Sequence, residues 1–410
     1  MAGAIPDLPL LAEDDSMLSR KFGREVANYF SGSPLNRVSF LRVDHAFLSS
    51  AFAHPTASFL LMNNLSPTVK DPTKLAYVGR SEVESLTGPE PFGKTEQDWL
   101  KTFNSDITHP VVLLLGIDEK TKSGFEWKEY SGAPYFAVDV TPKGSIKEKA
   151  ESVIDAIKAK EGIDFLPGAR HLSLDAPDAA IYAQARAMLD WNARNPFCGG
   201  CGQKTLSVNA GAKRVCPPTD LAGVPEGGSP RERAPCPTRQ GVSNLCFPRT
   251  DPTMIVAVIS ADGTKMLLGR QKRWPPYWYS TLAGFLEPGE SIEEAVRREV
   301  WEESGVTVGR VVIHSSQPWP YPANLMIGAI GQAQPGAGEK IDLGNDPELE
   351  SAKWFPLEEV RTALLQGTSG LGEPAPDGYK EGDLRLPPQT AIANRLMDAV
   401  TGGFLTASKM

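Results

Sequence analysis

Three glutamates stand close together in Arg298-Glu299-Val300-Trp301-Glu302-Glu303, and a further acid, Glu290, lies just upstream. Carboxylates at this spacing suit a hard divalent cation, because Mg²⁺ and Mn²⁺ take oxygen ligands. Ser291 is an N-cap type, Glu293 and Glu294 suit a first helical turn, and Gly305 suits an exit. Together they predict a helix over 291–303. At about 100° per residue, Ile292, Ala295 and Val296 share a core-facing stripe that continues into Glu299, Glu302 and Glu303. Glu299 and Glu303 are then like charges at i,i+4, near the negative end of the helix dipole. Each effect costs from a few tenths to about 1 kcal/mol, and a bound Mg²⁺ or Mn²⁺ removes both. The competing reading is a solvated acidic helix end.

Cysteine supplies a second candidate centre. Cys198-Gly199-Gly200-Cys201-Gly202 is a knuckle that places two thiolates on one Zn²⁺. A redox pair is the alternative, but such pairs open a helix after a strand, whereas this one follows a helical stretch. Cys216, Cys236 and Cys246 compete for the two remaining positions of a tetrahedral site. Residues 217–235 are rich in Pro, Gly and charge and resemble an inserted loop, which makes Cys216 and Cys236 the second pair and Cys246 the alternative. Five cysteines in so long a chain make no disulfide framework and point to a reducing compartment.

These centres need elements to hold them. A chain of 410 residues has room for two or three domains. Residues 1–20 and 401–410 read as tails, 21–190 as an N-terminal α+β domain, 191–250 as a zinc ribbon with an inserted loop, and 251–400 as the domain of the acidic helix. Strand runs are expected at 59–62, 111–115 and 136–140, and helices at 141–160 and 178–192. In the C-terminal part, strands are expected at 254–259, 266–268, 311–314, 325–330 and 352–355, and a last helix at 389–400. Strands mixed with helices on both faces make an α/β/α layered domain with a mixed sheet. His45, His54, His109 and His171 are scattered and read as structural or surface residues. The formal charge of −8 gives the molecule no general footprint for nucleic acid or anionic membrane. No apolar run approaches the ~20 residues of a membrane span, and the N-terminus lacks the pattern of a secretory signal.

The acidic segment carries a resemblance. Gly284, Glu290, Arg298, Glu299, Glu302, Glu303 and Gly305, with apolar Val300 and Val306, match the Nudix hydrolase signature at every fixed position. That resemblance implies metal-dependent hydrolysis of a nucleoside diphosphate linked to another moiety. It implies Glu299, Glu302 and Glu303 as metal ligands, one of them also accepting a proton, with Arg298 orienting them and Glu290 contributing. Ser316-Gln317-Pro318-Trp319-Pro320-Tyr321-Pro322-Ala323-Asn324 resembles the hallmark of the NADH pyrophosphatase branch, with Tyr321 and Asn324 replacing Phe and Ser. It is expected as a rigid aromatic loop bordering the active site, with Gln317, Trp319, Tyr321 and Asn324 contacting substrate. A polyproline-like recognition segment is the other reading. The branch also carries a four-cysteine ribbon behind an N-terminal domain, but its usual Trp-His before the ribbon is Trp191-Asn192 here.

Within the branch an aromatic after the first glycine of the signature stacks on a substrate base, which points to Phe285. Phe247 is similarly placed and often serves the partner subunit, so the resemblance implies a homodimer. Core packing is the alternative for both. A further family acid maps to Glu348, a candidate metal ligand or a plain surface acid. The branch cleaves NADH or NAD⁺ to nicotinamide mononucleotide and AMP. Alternatives are removal of an NAD cap from RNA 5′ ends, or a catalytically dead NAD(H)-binding protein. Ser408-Lys409-Met410 resembles a peroxisomal address and implies an import receptor as partner, as in fungal-type members. A cytoplasmic location is the alternative.

Overall fold

The structure, a computed structural model, describes residues 25–402 apart from 123, 169, 242 and 243, together with 9, 16, 17 and 19. Two compact units emerge: Ser33–Arg249 with Pro320–Ala323, and the segment up to Gly32 with Thr250–Trp319 and the chain from Asn324 onwards. The peroxisome-like tripeptide lies outside the described residues.

The first unit holds an eight-stranded sheet. Its strands are β1 (Ser58–Asn63), β2 (Ser66–Asp71), β3 (Lys74–Leu75), β4 (Tyr77–Val78), β5 (Val112–Asp118), β6 (Phe125–Trp127), β7 (Tyr130–Asp139) and β8 (Asp164–Phe165). β1 and β7 pair in parallel at the centre, and the other pairings are antiparallel. Helices α1 (His45–Ala53), α2 (Glu84–Thr87), α3 (Glu96–Lys101), α4 (Lys147–Lys158) and α5 (Ala176–Arg194) complete it. Aromatic rings form much of the core. Phe59 stacks on Phe136 at 5.4 Å, and Phe52 meets Phe59 edge-on at 5.0 Å.

The ribbon follows α5 in the same unit, with hairpin β9 (Leu206–Val208) and β10 (Lys213–Val215), then β11 (Thr219–Asp220) paired with β12 (Arg231–Glu232). Asn192, where the resemblance leads one to expect His, is buried and ties helix to ribbon. Its Nδ2 donates to the carbonyls of Met188 and Gly211, and its Oδ1 accepts from Ser207 and Arg214.

The second unit is a sandwich around β13 (Asp251–Ile259), β14 (Lys265–Gln271), β15 (Leu282–Phe285), β16 (Val308–Trp319), β17 (Asn324–Ala333) and β18 (Leu349–Pro356). The strand order is β16-β17-β13-β14-β18, with β15 also on β13 and β13–β17 parallel. The apolar run in β13 is buried on both faces. Met254, Val256 and Val258 pack with Ala295, Val296 and Val300 of α6 (Ile292–Ser304). Ile255, Ala257 and Ile259 pack with Val360 of α7 (Leu357–Gln366) and Leu396 and Met397 of α8 (Ile392–Thr401). Alternation of period two thus serves two helical layers.

One expectation needs correction. Ser316 to Trp319 is not loop but the end of strand β16, paired residue by residue with β17. Pro318 is tolerated because β16 is the sheet's edge, where an outward position without an N–H breaks no ladder. Residues 320–323 make the connecting turn.

Candidate active site and thiol centre

Helix α6 is closed at both ends by its own residues. Ser291 Oγ accepts from Glu294 N, and the Glu294 carboxylate accepts from Ser291 N at 2.8 Å, a reciprocal capping box. Gly305 ends the helix at φ 72°, a conformation that costs glycine little. Loop 342–346 then caps the exposed carbonyls. Asp342 N donates to Ser304 O at 2.8 Å, and Asp346 N donates to Glu302 O at 3.0 Å. That fastening brings Asp346 and Glu348 towards the helix's acidic end.

Arg298 organises the acids. Its Nε and Nη2 grip Glu290 bidentately at 2.7 and 2.9 Å, and its Nη1 donates to Glu299 at 3.0 Å and Glu302 at 2.9 Å. Nη2 also donates to the Phe285 carbonyl at 2.8 Å, which joins helix to strand β15. Such a fork holds planar acceptors at fixed angles, which a point-like ammonium cannot do.

Glu303 escapes this clamp and is only 7 % exposed. Burial, then the charges of Glu299, Glu348, Asp346 and Glu302, push its carboxyl up to about 8. Burial also raises Glu299, against the pull of Arg298. Without a cation, Glu303 therefore holds a proton at neutral pH, and the acids do not close into a tight ring. The group of three or more metal-ligating residues drawn within 4.8 Å, among those described, is the set of thiols. The oxygen donors of Glu299, Glu303 and Glu348, with Glu302 shared with Arg298, nonetheless fit Mg²⁺ or Mn²⁺ by type and charge. Asp346, which acts on Glu303, is not among the residues that the sequence marks. Its signal is the Asp-Pro-Glu spacing of 346–348, too short a motif to speak alone.

Comparison with known proteins agrees with this geometry. The Nudix domain family matches residues 249–376, the NADH pyrophosphatase zinc ribbon domain 193–223, and the NADH pyrophosphatase-like rudimentary Nudix domain 56–191. A Schizosaccharomyces pombe protein named NAD-capped RNA hydrolase is 36 % identical over 375 residues, covering 91 % of this chain and 92 % of that one. The chain belongs to the NADH pyrophosphatase family of Nudix hydrolases. The human NAD-capped RNA hydrolase NUDT12 is 34 % identical over 386 residues, covering 91 % of this NADH pyrophosphatase relative and 73 % of the human chain. The mouse mitochondrial NAD(P)H pyrophosphatase NUDT13 is 31 % identical over 351 residues, covering 84 % of each.

In this Nudix hydrolase the ribbon gathers Cys198, Cys201, Cys216 and Cys236, with ligand atoms all within 4.8 Å. Cys198 and Cys236 sulfurs lie 3.5 Å apart, as do those of Cys201 and Cys216. Four sulfurs about 2.3 Å from one tetrahedral Zn²⁺ are mutually close to this spacing, so the donor set fits the metal. Burial pushes the Cys216 thiol up to about 12, so its thiolate form needs a cation beside it. Cys246 is buried outside the cluster. The matched ribbon covers Cys198, Cys201 and Cys216 and ends at 223, before Cys236.

The residues expected to meet substrate divide. Phe285 is 58 % exposed at the end of β15. Asn324 shares that end of the sheet. Its Nδ2 donates to Thr253 Oγ1, and Thr253 pairs with Phe285. Its Oδ1 is buried without a hydrogen-bond partner. Phe247 is exposed beside the ribbon, and Trp319 meets Phe30 edge-on at 5.9 Å. Gln317 is turned inward. Its Nε2 donates to the carbonyls of Tyr29 and Thr390, and its Oε1 accepts from Ile392 N. Tyr321 is pinned as well, its hydroxyl accepting from His171 N and its ring lying under Arg186 at 4.5 Å.

Proposed function

We propose that this Nudix hydrolase removes nicotinamide mononucleotide from the NAD-capped 5′ end of RNA, cutting the cap's pyrophosphate and leaving a 5′-monophosphate. The supporting observation is the acid cluster of α6 held by the Arg298 fork, in a chain similar over nine-tenths of its length to proteins named NAD-capped RNA hydrolase. Water adds to one phosphorus, the bridging P–O bond breaks, and the water's proton passes to a carboxylate. Glu303, buried beside Glu299, suits that acceptor's role in its ionised form. Glu299, Glu303 and Glu348 are the residues to hold Mg²⁺ or Mn²⁺, which when bound neutralises pyrophosphate charge and acidifies water. Arg298 orients Glu299 and Glu302, and the exposed Phe285 ring offers a face to a base. The unpartnered Asn324 Oδ1 is available to a ligand donor at the same sheet end.

A second reading is cleavage of free NADH or NAD⁺ to nicotinamide mononucleotide and AMP. It is favoured by the net charge of −8, which gives little hold on an RNA body, and by the mouse relative's name. Turnover of an NAD-capped oligonucleotide and of free NADH, each with Mg²⁺ or Mn²⁺, decides between them. Cleavage of NADH alone puts the second reading first, and no cleavage of either sinks both. The homodimer and the peroxisomal address remain part of this proposal. Light scattering and the location of a chain lacking Ser408-Lys409-Met410 test them.

A further inference from the structure

The unit of Ser33–Arg249 carries a second concave site, whose lining includes none of the acid cluster's residues. It is a pocket of about 410 Å³, a size that suits a small ligand. Its lining is unusual in a chain with more acids than bases. Lys94, Lys143, Lys204 and Arg214 all contribute, and no Asp or Glu does among the described residues.

Among the described residues, one of these cations is answered by an acid close at hand. Lys143 is held by Asp139 at 2.5 Å. Lys204 donates to the Ser105 carbonyl at 2.9 Å, and Lys94 lies 4.9 Å from the Trp99 ring centre. Arg214 donates to Thr205 Oγ1 and O and to Asn192 O and Oδ1, all neutral acceptors. Burial alone pushes its guanidinium down to about 10, the mark of a charge held without compensation. A bound anion relieves that cost. The wall also carries flat groups, since Trp99 meets His109 edge-on at 4.9 Å. The Nδ1 of His45, another lining residue, is buried without a partner. Trp99 is half-buried, packed against the cluster of Phe103, Leu206, Val208 and Val215, and cations beside such an aromatic ring are what recognises a phosphate joined to a base.

We propose that this pocket binds a phosphorylated nucleoside, with the phosphate in the field of Lys94, Lys204 and Arg214 and the base against Trp99. The site is independent of the hydrolytic reading and uses none of its residues. A free nucleotide and one nucleotide of an RNA strand present the same chemistry.

The test is calorimetric titration of the full-length protein with 5′-AMP, a short 5′-hydroxyl oligoadenylate and inorganic phosphate, in buffer free of Mg²⁺ and Mn²⁺. AMP or oligoadenylate is expected to bind more tightly than phosphate and to weaken as salt rises. Lys94→Glu with Lys204→Glu, both at exposed side chains, should weaken binding at least ~10-fold, and Trp99→Leu by roughly 10-fold. Zinc content and thermal midpoint show that the variants fold, and Lys94→Glu alone serves if the pair does not. Preference for oligoadenylate identifies an RNA strand as the source, and preference for AMP a free nucleotide. No binding, affinity equal to that of phosphate, or binding unchanged in folded variants overturns the proposal.

Discussion

Gly284 lies so close to Glu299 that a Cβ on the glycine would stand 2.0 Å from the glutamate's carboxyl carbon. The strand that carries Phe285 therefore sets the position of an acid on the neighbouring helix, through the absence of a side chain. Gly284→Ala should displace Glu299 by at least an ångström while leaving the capped helix in place. A misplacement of that size typically costs about 10²-fold in turnover. Circular dichroism should be unchanged, and wild-type activity would show that Glu299 need not sit there.

Glu303 makes the cation-free protein sensitive to alkali. Its folded carboxyl titrates at about 8, above an ordinary value of 4.5, so folding favours the protonated form. The stability it contributes is complete below about pH 4.5 and is lost as pH rises through about 8. Without Mg²⁺, Glu303→Gln should thus raise the thermal midpoint at pH 9, by an amount on the order of 2 kcal/mol in stability, and change little at pH 5. The same variant should lose turnover entirely. Cation binding should release a proton below pH 8, which titration in buffers of different ionisation enthalpy measures.

Arg298→Lys keeps the charge but not the fork that reaches Glu290, Glu299, Glu302 and the Phe285 carbonyl. We expect turnover to fall roughly 10- to 100-fold with Mg²⁺ affinity altered, because three carboxylates lose their common anchor. Equal kinetics for Lys and Arg here would mean that charge alone suffices.

The two candidate thiols should separate cleanly. Cys236→Ser is expected to lose bound zinc and lower the thermal midpoint, since a structural site contributes folding energy directly. Cys246→Ser should retain one zinc per chain. The opposite zinc contents would assign the fourth ligand to Cys246.

Gln317→Ala removes the hydrogen bonds to the carbonyls of Tyr29 and Thr390 and from Ile392 N in a buried place, where the residue is 1 % exposed. The expected loss is about 2–4 kcal/mol of stability. Any change in KM should be small beside it. A stable variant with a large rise in KM would return Gln317 to the substrate.

Local physics explains what could be read in advance. Ser291, Glu294 and Gly305 specify a helix within its own span, and acids four apart reveal themselves by spacing alone. The observed Ile292–Ser304 helix departs from the expectation by one residue at each end. The apolar run of 254–259 marks a buried strand by the same token. Ser316 to Trp319 reads as loop because it opens the stretch 316–322, in which three prolines alternate with aromatics. That pattern favours a loop unless the strand lies at an edge, and edge position is a property of the whole sheet.

From the chain alone came the acid cluster, the four-thiol centre, the layered class and the family, because each depends on residues near in sequence or on a contiguous pattern. Folding decided the rest. It chose Cys236 over Cys246 by the way residues 217–235 fold back, buried Glu303 and carried Asp346 to it, turned Gln317 inward, and gathered Lys94, Lys204 and Arg214 around one hollow. Each of these joins residues far apart along the chain, and desolvation and charge act through space, which a linear order of side chains does not record.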